Sequence, residues 1–528
     1  MMKNRGKKEQ KRVAIRPLPT GVPGLDEILG GGLPEYSFNI IAGAPGSGKT
    51  TLAHQIMFAN ATRKRPAIYF TVLGEPAIKM LRYQQQFTFF DDAKLDGAIR
   101  FINLSHVVVD GDLGAVLEAI LKEVEASNAG IVVVDSFRTV VRKAVHGATE
   151  MELQGFVQRL ALNLTSWQAT TFLIGEYVES ELRDNPVFTV ADGLFWLYQS
   201  VERNSIVRKM QIMKLRGQES VPGLHTFRIT GNGLQTFPRT FGLTSNQLDH
   251  IKGQRRLSTG VRELDALMGG GIPQGDSLLV AAPSGAGKTV LGIQFIAEGL
   301  DRGEPGIVGM FEELPNEYLQ RAASFGFNFD KYMKNGSLKL IYLRPLDLSV
   351  DETVHEIVNA VKEIGCKRLV IDSLVGFELA LAPAFRTDFR ESLYRMIGAL
   401  TRLGVTILST VEVVDDFTSM GLSNFAISFL ADDIVRLRYV SINGQLRKMV
   451  MVVKMRRSRH SIDMYAYEVT AKGLLIGEPM RGYRGLTSGI PGPWSTESGQ
   501  NNPQVVTPSD VRPPNTGQPR ESRRKGRS

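Results

Sequence analysis

The chain has 528 residues, more than one hydrophobic core usually serves, so its length implies at least two domains. With 43% hydrophobic and 22% charged residues its composition is typical of a globular protein, and its apolar runs, such as 131–135 and 368–374, are too short to cross a bilayer. The single cysteine, Cys366, excludes an internal disulfide framework and fits a reducing cytoplasm.

The net charge of +9 is concentrated in the two tails. Residues 1–16 carry +6 and residues 485–528 carry +3, which accounts for the whole net charge and leaves residues 17–484 neutral. No apolar segment follows the basic N-terminal tail, so it does not resemble a signal peptide. Charge confined to such tails weakens the case for a DNA-binding core.

An internal repeat defines the architecture. The segment TGVPGLDEILGGGLPEYSFNIIAGAPGSGKT, beginning at Thr20, returns as TGVRELDALMGGGIPQGDSLLVAAPSGAGKT at Thr259, an offset of 239 residues. In both copies β-type runs alternate with helical patterns, which predicts α/β domains with mainly parallel central sheets. We place the basic tail at 1–16, the first domain at 17–240, a linker at 241–256, the second domain at 257–484 and a disordered tail, rich in Pro, Gly, Ser and Thr, at 485–528.

A glycine-rich loop, GAPGSGKT at 43–50, follows the apolar run FNIIA and precedes a helical pattern. This is the context that a phosphate-binding loop requires. In such a loop backbone N–H groups surround the β-phosphate of ATP, Lys49 reaches the β- and γ-phosphate oxygens, and the Thr50 hydroxyl ligates Mg²⁺. The predicted nucleotide-binding residues of the first copy are Gly43, Ala44, Pro45, Gly46, Ser47, Gly48, Lys49 and Thr50.

Two further acidic strand ends follow in the first copy. VLGEPAIKM at 72–80 carries one carboxylate, Glu75, which can polarise an attacking water, so we expect weak turnover in this domain. IVVVDS at 131–136 ends in Asp135, which can hold a water of the Mg²⁺ shell beside the phosphate loop. An aspartate that merely caps the next helix is the alternative.

The second copy repeats the phosphate loop with one change. In APSGAGKT, residues 282–289, Ala282 replaces the leading glycine, which a negative φ at that position would permit. The strand LVIDS supplies Asp372, and Thr289 and Asp372 repeat the Mg²⁺-binding pair of Thr50 and Asp135. The predicted nucleotide-binding residues of this copy are Ser284, Gly285, Ala286, Gly287, Lys288 and Thr289.

The second copy also has two adjacent carboxylates where the first has one. MFEELPNEY at 310–318 carries Glu312 and Glu313, whereas the first copy has Gly74 before Glu75. Two carboxylates permit one to act as base toward an attacking hydroxyl or water while the other orients it. Solvated charges at a helix start are the alternative interpretation.

These features together resemble the KaiC family of tandem RecA-like ATPases, known from the cyanobacterial circadian clock. The resemblance covers about residues 17–490 and rests on TGVxxLDxxxGGGxP before each loop, FEE after the second, both Asp-Ser strand ends, KLRG, KMRR and RGYRGLTSGIP. It implies two RecA-like P-loop domains that form a homo-hexameric double ring, with ATP bound between subunits in both tiers.

The resemblance also implies roles for further residues. A Lys-x-Arg pair near each domain end would reach the γ-phosphate of a neighbouring subunit, although such a pair on a strand is also typical of a solvated face. These residues are Lys214 and Arg216 in the first domain and Lys454 and Arg456 in the second.

A serine autokinase activity is implied as well, with Glu312 as its base. Ser428 matches the family's serine acceptor, whereas Phe429 stands in place of the neighbouring threonine and Ser423 in place of a further threonine. The proline-rich end after Gly492 departs from the segment that recruits KaiA, so a KaiA-type partner is not supported, and a KaiB-like partner stays open.

Three functions stay open. The leading one is a hexameric switch that hydrolyses ATP and phosphorylates itself on serine. The second is a switch of the same build that signals by nucleotide state without kinase activity. The third is a RecA-like DNA-dependent ATPase, which the neutral body and the lack of a recognisable basic-aromatic loop argue against.

Overall fold

The computed structural model describes most of both repeats. The described residues are 16–72, 77–95, 97–110, 113–144, 150–182, 185–202, 205–239, 255–343, 349–381, 389–413, 431–486 and 491–493. Glu75, Ser423, Ser428 and Phe429 lie outside them, as do nearly all of both tails and of the predicted linker.

The first repeat forms an α/β unit. Its strands are β1 (Pro17–Leu18), β2 (Leu33–Pro34), β3 (Phe38–Gly43), β4 (Ala67–Thr71), β5 (Ile99–Asn103), β6 (Ile131–Asp135), β7 (Thr170–Glu176), β8 (Gly193–Glu202), β9 (Ser205–Leu215), β10 (Leu224–Thr230) and β11 (Gly233–Phe237). Its helices are α1 (Leu25–Ile28), α2 (Lys49–Asn60), α3 (Ala77–Gln84), α4 (Ser105–Asp110), α5 (Leu113–Ser127), α6 (Phe137–Ala144), α7 (Glu150–Ser166) and α8 (Pro186–Val190), with 3₁₀ turns at Asp92–Lys94 and Glu179–Leu182.

The second repeat forms a matching unit. Its strands are β12 (Arg256–Leu257), β13 (Ile272–Pro273), β14 (Ser277–Ala282), β15 (Gly306–Met310), β16 (Leu338–Tyr342), β17 (Arg368–Asp372), β18 (Thr406–Glu412), β19 (Asp433–Ile442), β20 (Gln445–Met455), β21 (Tyr465–Thr470), β22 (Gly473–Pro479), β23 (Tyr483–Arg484) and β24 (Gly492–Pro493). Its helices are α9 (Arg262–Leu267), α10 (Lys288–Asp301), α11 (Pro315–Ser324), α12 (Asp330–Lys334), α13 (Val350–Ile364), α14 (Leu374–Ala380) and α15 (Phe389–Arg402).

Each repeat is built on a nine-stranded sheet with the same strand order. The orders are β5-β4-β6-β7-β3-β8-β9-β10-β11 and β16-β15-β17-β18-β14-β19-β20-β21-β22. In each sheet the first six strands are parallel, and the last three follow the sixth strand, β8 or β19, in antiparallel pairs. The prediction of two tandem α/β domains with mainly parallel sheets is therefore confirmed.

The apolar runs of the sequence are strands buried on both faces. Along β6, Val132 and Val134 enter one hydrophobic core, while Ile131 and Val133 enter the core on the opposite face. Helices cover both faces, which explains why these strands lack polar alternation. No helix in the described ranges is both long and apolar enough to span a bilayer.

The repeated TGVxxLD motif forms a local pair of hydrogen bonds, here called the lock, between its threonine and its aspartate ahead of each phosphate loop. Asp26 accepts hydrogen bonds from the backbone N–H of Thr20 at 2.8 Å and from its hydroxyl at 2.6 Å. Asp265 accepts the same two bonds from Thr259, each at 2.7 Å. The lock satisfies buried polar groups and fixes the segment before β2 or β13.

The two units contact each other through the antiparallel edge of the first. Strand β10 and strand β11 pack on helix α13, and Arg228 of β10 donates to Glu352 of α13 at 2.7 Å. The next residue of β10, Ile229, lines the cavity of the first phosphate loop. One strand thus borders a candidate site and the neighbouring domain.

Candidate functional site

In the first domain a glycine-rich loop connects β3 to α2. Gly46 and Gly48 have φ values of +73° and +97°, and a Cβ on Gly48 would lie 2.6 Å from Ile229 Cδ1, so glycine is required there. No side chain caps the amino end of α2. Its first backbone N–H groups are therefore available to an anion such as a phosphate.

The second loop, between β14 and α10, has the same geometry. Gly285 and Gly287 have φ values of +73° and +102°, and α10 also begins without a side-chain cap. The leading position differs: Gly43 has φ of +149° and a Cβ there would lie 2.2 Å from the carbonyl oxygen of Leu197. Ala282 lies outside the positive-φ region, so alanine is accommodated in the second loop only.

The first cavity, of about 360 Å³, brings together Gly46, Gly48, Lys49, Thr50 and Asp135. The Thr50 hydroxyl donates to Asp135 Oδ2 at 2.7 Å, and Lys49 Nζ donates to the carbonyl oxygen of Ala44 at 2.7 Å. Residues separated by 85 positions in sequence therefore form one hydroxyl–carboxylate pair beside the phosphate loop. The other two residues of the predicted set, Pro45 and Ser47, lie in the same loop.

Burial changes the pKa values of two charged groups in this cavity. Burial lowers the pKa of Lys49, while the charges of Glu176 and Asp135 oppose that shift. Burial also raises the pKa of Asp135, against the hydrogen bonds from Tyr69 and Thr50 and the charge of Lys49. Bound phosphates would place negative charge near Lys49, and a divalent cation would place positive charge near Asp135.

The second cavity, of about 720 Å³, collects the predicted residues of the second domain more completely. Glu312, Glu313 and Asp372 line it together with Ser284, Gly285, Gly287, Lys288 and Thr289. Ala286 is in the same loop and is fully buried. Carboxylates, a lysine and an open helix end thus meet in one cavity.

Glu312 and Glu313 have different surroundings. Glu312 Oε1 accepts a hydrogen bond from Ser373 Oγ at 2.7 Å, and a Cβ on Gly376 would lie 2.6 Å from the same oxygen. Glu313 instead forms an ion pair with Arg321 at 2.9 Å. Burial raises the pKa of Glu313, and the Arg321 charge opposes this. One carboxylate is therefore held by a hydroxyl and the other by a cation.

The Lys-x-Arg pairs lie away from the cavities of their own domains. Arg216 lies 3.2 Å from Asp192, and Lys214 donates to the carbonyl oxygen of Thr189 at 3.0 Å. The second domain repeats this arrangement: Arg456 lies 3.3 Å from Asp432, and Lys454 donates to the carbonyl oxygen of Ala431 at 2.7 Å. None of the four lines either cavity within the described ranges.

Sequence reasoning missed an acidic residue in each cavity. Glu176 ends β7 and lines the first cavity, while Glu412 ends β18 and lies 3.4 Å from Lys288 in the second. The signal was present, because the apolar runs TTFLIGE and TILSTVE both end in glutamate. Reasoning from the sequence also missed the Tyr69 hydroxyl, which donates to Asp135 at 2.6 Å. Glu75 and Ser428 lie outside the described residues.

Comparison with known proteins gives consistent matches along the chain. The family model for the KaiC ATPase matches residues 18–240 and again 257–481. The circadian clock oscillator protein KaiC of Thermostichus vulcanus is 28% identical over 494 residues, covering 92% of this chain and 93% of that protein. The circadian clock protein KaiC3 of Synechocystis sp. is 27% identical over 496 residues, with 92% and 96% covered. Two tandem matches to one family model, on two domains with the same phosphate-loop geometry, show that this chain belongs to the KaiC family of ATPases.

Proposed function

We propose that the chain is an ATP-hydrolysing, clock-type signalling protein of the cytoplasm that works as a homo-hexamer. In this proposal each nucleotide site is completed by the Lys-x-Arg pair of the neighbouring subunit. One observation carries it: in each domain the phosphate loop follows the last residue of one strand, whereas the arginine of the Lys-x-Arg pair is held by an aspartate that binds the first residue of that strand.

The first domain illustrates this separation. Asp192, the partner of Arg216, also accepts a hydrogen bond at 3.0 Å from the backbone N–H of Phe38, the first residue of β3. The phosphate loop leaves β3 at its last residue, Gly43, roughly 17 Å away at 3.3 Å per residue. In the second domain Asp432 accepts from the N–H of Ser277, the first residue of β14, at 3.2 Å. Neither arginine reaches the loop of its own domain from there, so a second subunit supplies the cation.

The residues of both cavities fit ATP and Mg²⁺. Open N–H groups and the positive-φ glycines suit the phosphates, with Lys49 and Lys288 as counter-charges. Thr50 with Asp135, and Thr289 with Asp372, offer the oxygen ligands that a hard cation prefers, directly or through water. Bound there, Mg²⁺ would neutralise charge on the β- and γ-phosphate oxygens.

The second domain carries the stronger catalytic arrangement. Glu312, held by a neutral hydroxyl, is the base that takes the proton of an attacking water or hydroxyl. Glu313, neutralised by Arg321, orients the nucleophile and limits repulsion of the phosphates. The γ-phosphoryl group then passes to that nucleophile and ADP leaves.

Serine autophosphorylation is part of the same proposal. With Ser428 as nucleophile, its hydroxyl proton goes to Glu312 and its oxygen forms the new bond to phosphorus, as an alternative to water at the same site. The printed names of the relatives, circadian clock proteins, support a signalling role and leave room for a KaiB-like partner. A membrane or nucleic-acid partner is not expected.

The experiment is to incubate the purified protein with Mg-ATP and to measure both ADP release and peptide masses. We expect ADP to accumulate and a phosphate to appear on Ser428. Phosphate on Ser423 alone would reassign the acceptor, and ADP release without any phosphopeptide would favour the nucleotide-state switch. Absence of ADP and of phosphate under assembly-competent conditions would refute the proposal.

A further inference from the structure

A buried tyrosine contacts the carboxylate at the end of β6. Tyr69 in β4 is fully buried, and its hydroxyl donates to Asp135 Oδ2 at 2.6 Å. Thr50 donates to the same oxygen at 2.7 Å. Because one carboxylate oxygen has two lone pairs, these two donors occupy Oδ2, and Oδ1 is the oxygen that remains for a metal-bound water.

The sheet register explains how the two side chains meet. Strands β4 and β6 are parallel neighbours, and Tyr69 lies opposite Val133, two residues before Asp135. Residues two apart share a face of a sheet, so the tyrosine ring and the carboxylate lie on the same side. Burial and the nearby Asp135 charge raise the pKa of Tyr69 well above its ordinary value, so the phenol keeps its proton and acts as donor.

The tyrosine ring is fixed by the helix that follows the phosphate loop. His54 of α2 lies with its ring centroid 4.5 Å from that of Tyr69, and Phe101 of β5 packs at 5.4 Å. Helix α2 also carries Lys49 and Thr50. The hydroxyl of Tyr69 is therefore held in a fixed position relative to the phosphate loop.

In the second domain the corresponding carboxylate, Asp372, accepts its hydroxyl hydrogen bond from the strand on the other side of it, β18 rather than β15. The residue in the register of Tyr69 is Val308, which lies opposite Val370, two residues before Asp372. Asp372 instead accepts through Oδ1 from the Thr410 hydroxyl of β18. The first-domain residue at the Thr410 position is Ile174, which lies opposite Asp135. The two carboxylates are thus oriented by different neighbours.

We propose that Tyr69 is a positioning residue for the divalent cation of the first site. By holding Oδ2, it fixes Asp135 so that Oδ1 receives the water shell of the metal that accompanies the nucleotide. This inference rests on the proposed function, because it takes Asp135 as a holder of metal-bound water.

The test uses the full chain carrying Lys288→Ala, so that nucleotide binds at the first site only. Fluorescence of methylanthraniloyl-ADP is titrated with Mg²⁺ in this protein with and without Tyr69→Phe. We expect nucleotide affinity in EDTA to be unchanged and the Mg²⁺ concentration for half-maximal response to rise roughly 10- to 100-fold. Thermal unfolding checks that the isosteric variant is folded.

Two further variants separate positioning from a packing role. Tyr177→Phe removes the phenol of another buried first-domain tyrosine, whose ring packs on Phe188 at 5.0 Å, and should leave the Mg²⁺ response unchanged. Tyr69→Phe combined with Ile174→Thr supplies the hydroxyl from the side used in the second domain and should restore most of the Mg²⁺ response. The Tyr177→Phe result would show that loss of a buried phenol elsewhere in the domain does not alter the Mg²⁺ response, and the rescue by Ile174→Thr would be unexpected if Tyr69 only filled the core.

The outcomes distinguish this inference from the function on which it rests. Normal nucleotide binding with an unshifted Mg²⁺ response in Tyr69→Phe would overturn the role of Tyr69 and leave the proposed function intact. An equal shift in Tyr177→Phe would likewise overturn it. Failure of the Lys288→Ala protein to bind nucleotide at all, with Tyr69 in place, would overturn the first-site assignment itself.

Discussion

The guanidinium of Arg456 lies 3.3 Å from Asp432 Oδ1, and Asp432 also binds the first backbone N–H of the strand that ends at the second phosphate loop. Arg216 and Asp192 repeat this pairing in the first domain at 3.2 Å. In each domain the aspartate holds the arginine at the end of the sheet where β3 or β14 begins, whereas the phosphate loop lies at the end where that strand stops. Both arginines are more than half exposed, so each is accessible to another subunit.

Replacing Arg456 by alanine should preserve ATP binding and reduce second-domain turnover roughly 10³-fold or more, because the cation that stabilises the transferring phosphoryl group is lost. Turnover is measured in an Arg216→Ala background, which should silence hydrolysis at the first site while Lys49 still holds the nucleotide that ring assembly needs. Mixing the Arg456→Ala chain with a Lys288→Ala chain should restore activity. At equal ratio about a quarter of random interfaces pair an intact loop with an intact arginine. Mixed rings seen by native mass spectrometry without any rescue would contradict action across the interface.

Substitution of the two carboxylates of the second cavity, Glu312 and Glu313, should lower turnover to different extents. Glu312→Gln keeps the size and hydrogen-bonding reach of the side chain but removes its basicity, so turnover should fall roughly 10²- to 10⁴-fold with nucleotide affinity unchanged. Glu313→Gln should cause a smaller loss, because Arg321 is left near the nucleotide without its ion-pair partner. Single-turnover kinetics at saturating ATP provide the measurement. Equal effects of both substitutions would show that the division of labour is wrong.

The two phosphate-loop lysines should have different consequences. Lys288→Ala should abolish nucleotide binding in the second domain and any phosphorylation of Ser428, because the β- and γ-phosphates lose their counter-charge. Lys49→Ala should chiefly impair ring assembly, the role that the first tier would have. Analytical ultracentrifugation with ATP and phosphopeptide mapping are the two measurements. Normal Ser428 phosphate in Lys288→Ala would defeat the assignment.

Asp433 should make stability depend on pH. It is fully buried, and burial, with Asp276 and Asp432 nearby, raises its pKa to about 7. Since the folded state then holds a proton more tightly than the unfolded state, this contribution to stability is present below pH 4 and is lost as pH rises through 7. Between pH 5 and pH 8 the loss is about 2–3 kcal/mol. Asp433→Asn should flatten this dependence in urea unfolding, and a variant with the wild-type slope would contradict it.

Features encoded by local spacing could be predicted from the sequence. The glycine-rich loops, the aspartate strand ends and the duplication all follow from short motifs and their repetition. In the structure the loops follow β3 and β14, the aspartates end β6 and β17, and both sheets have the same strand order. Contacts that depend on the order of strands in the sheet could not be predicted from the sequence. From the sequence Tyr69 is indistinguishable from an ordinary core residue of an apolar strand. It contacts Asp135 only because β4 and β6 are neighbours in the sheet. Lys288 and Glu412, 124 positions apart, meet because β14 and β18 are neighbours.

The antiparallel pairing of β8 with β9, repeated by β19 with β20, has a consequence for kinetics. This pairing brings the Lys-x-Arg pair back to the end of the sheet where β3 or β14 begins, so in the proposed hexamer each chain supplies a phosphate loop to one site and a Lys-x-Arg pair to another. Hydrolysis by such a protein is then not first order in protein concentration. Specific activity should fall steeply on dilution through the assembly range, and it should recover when the subunits are concentrated again.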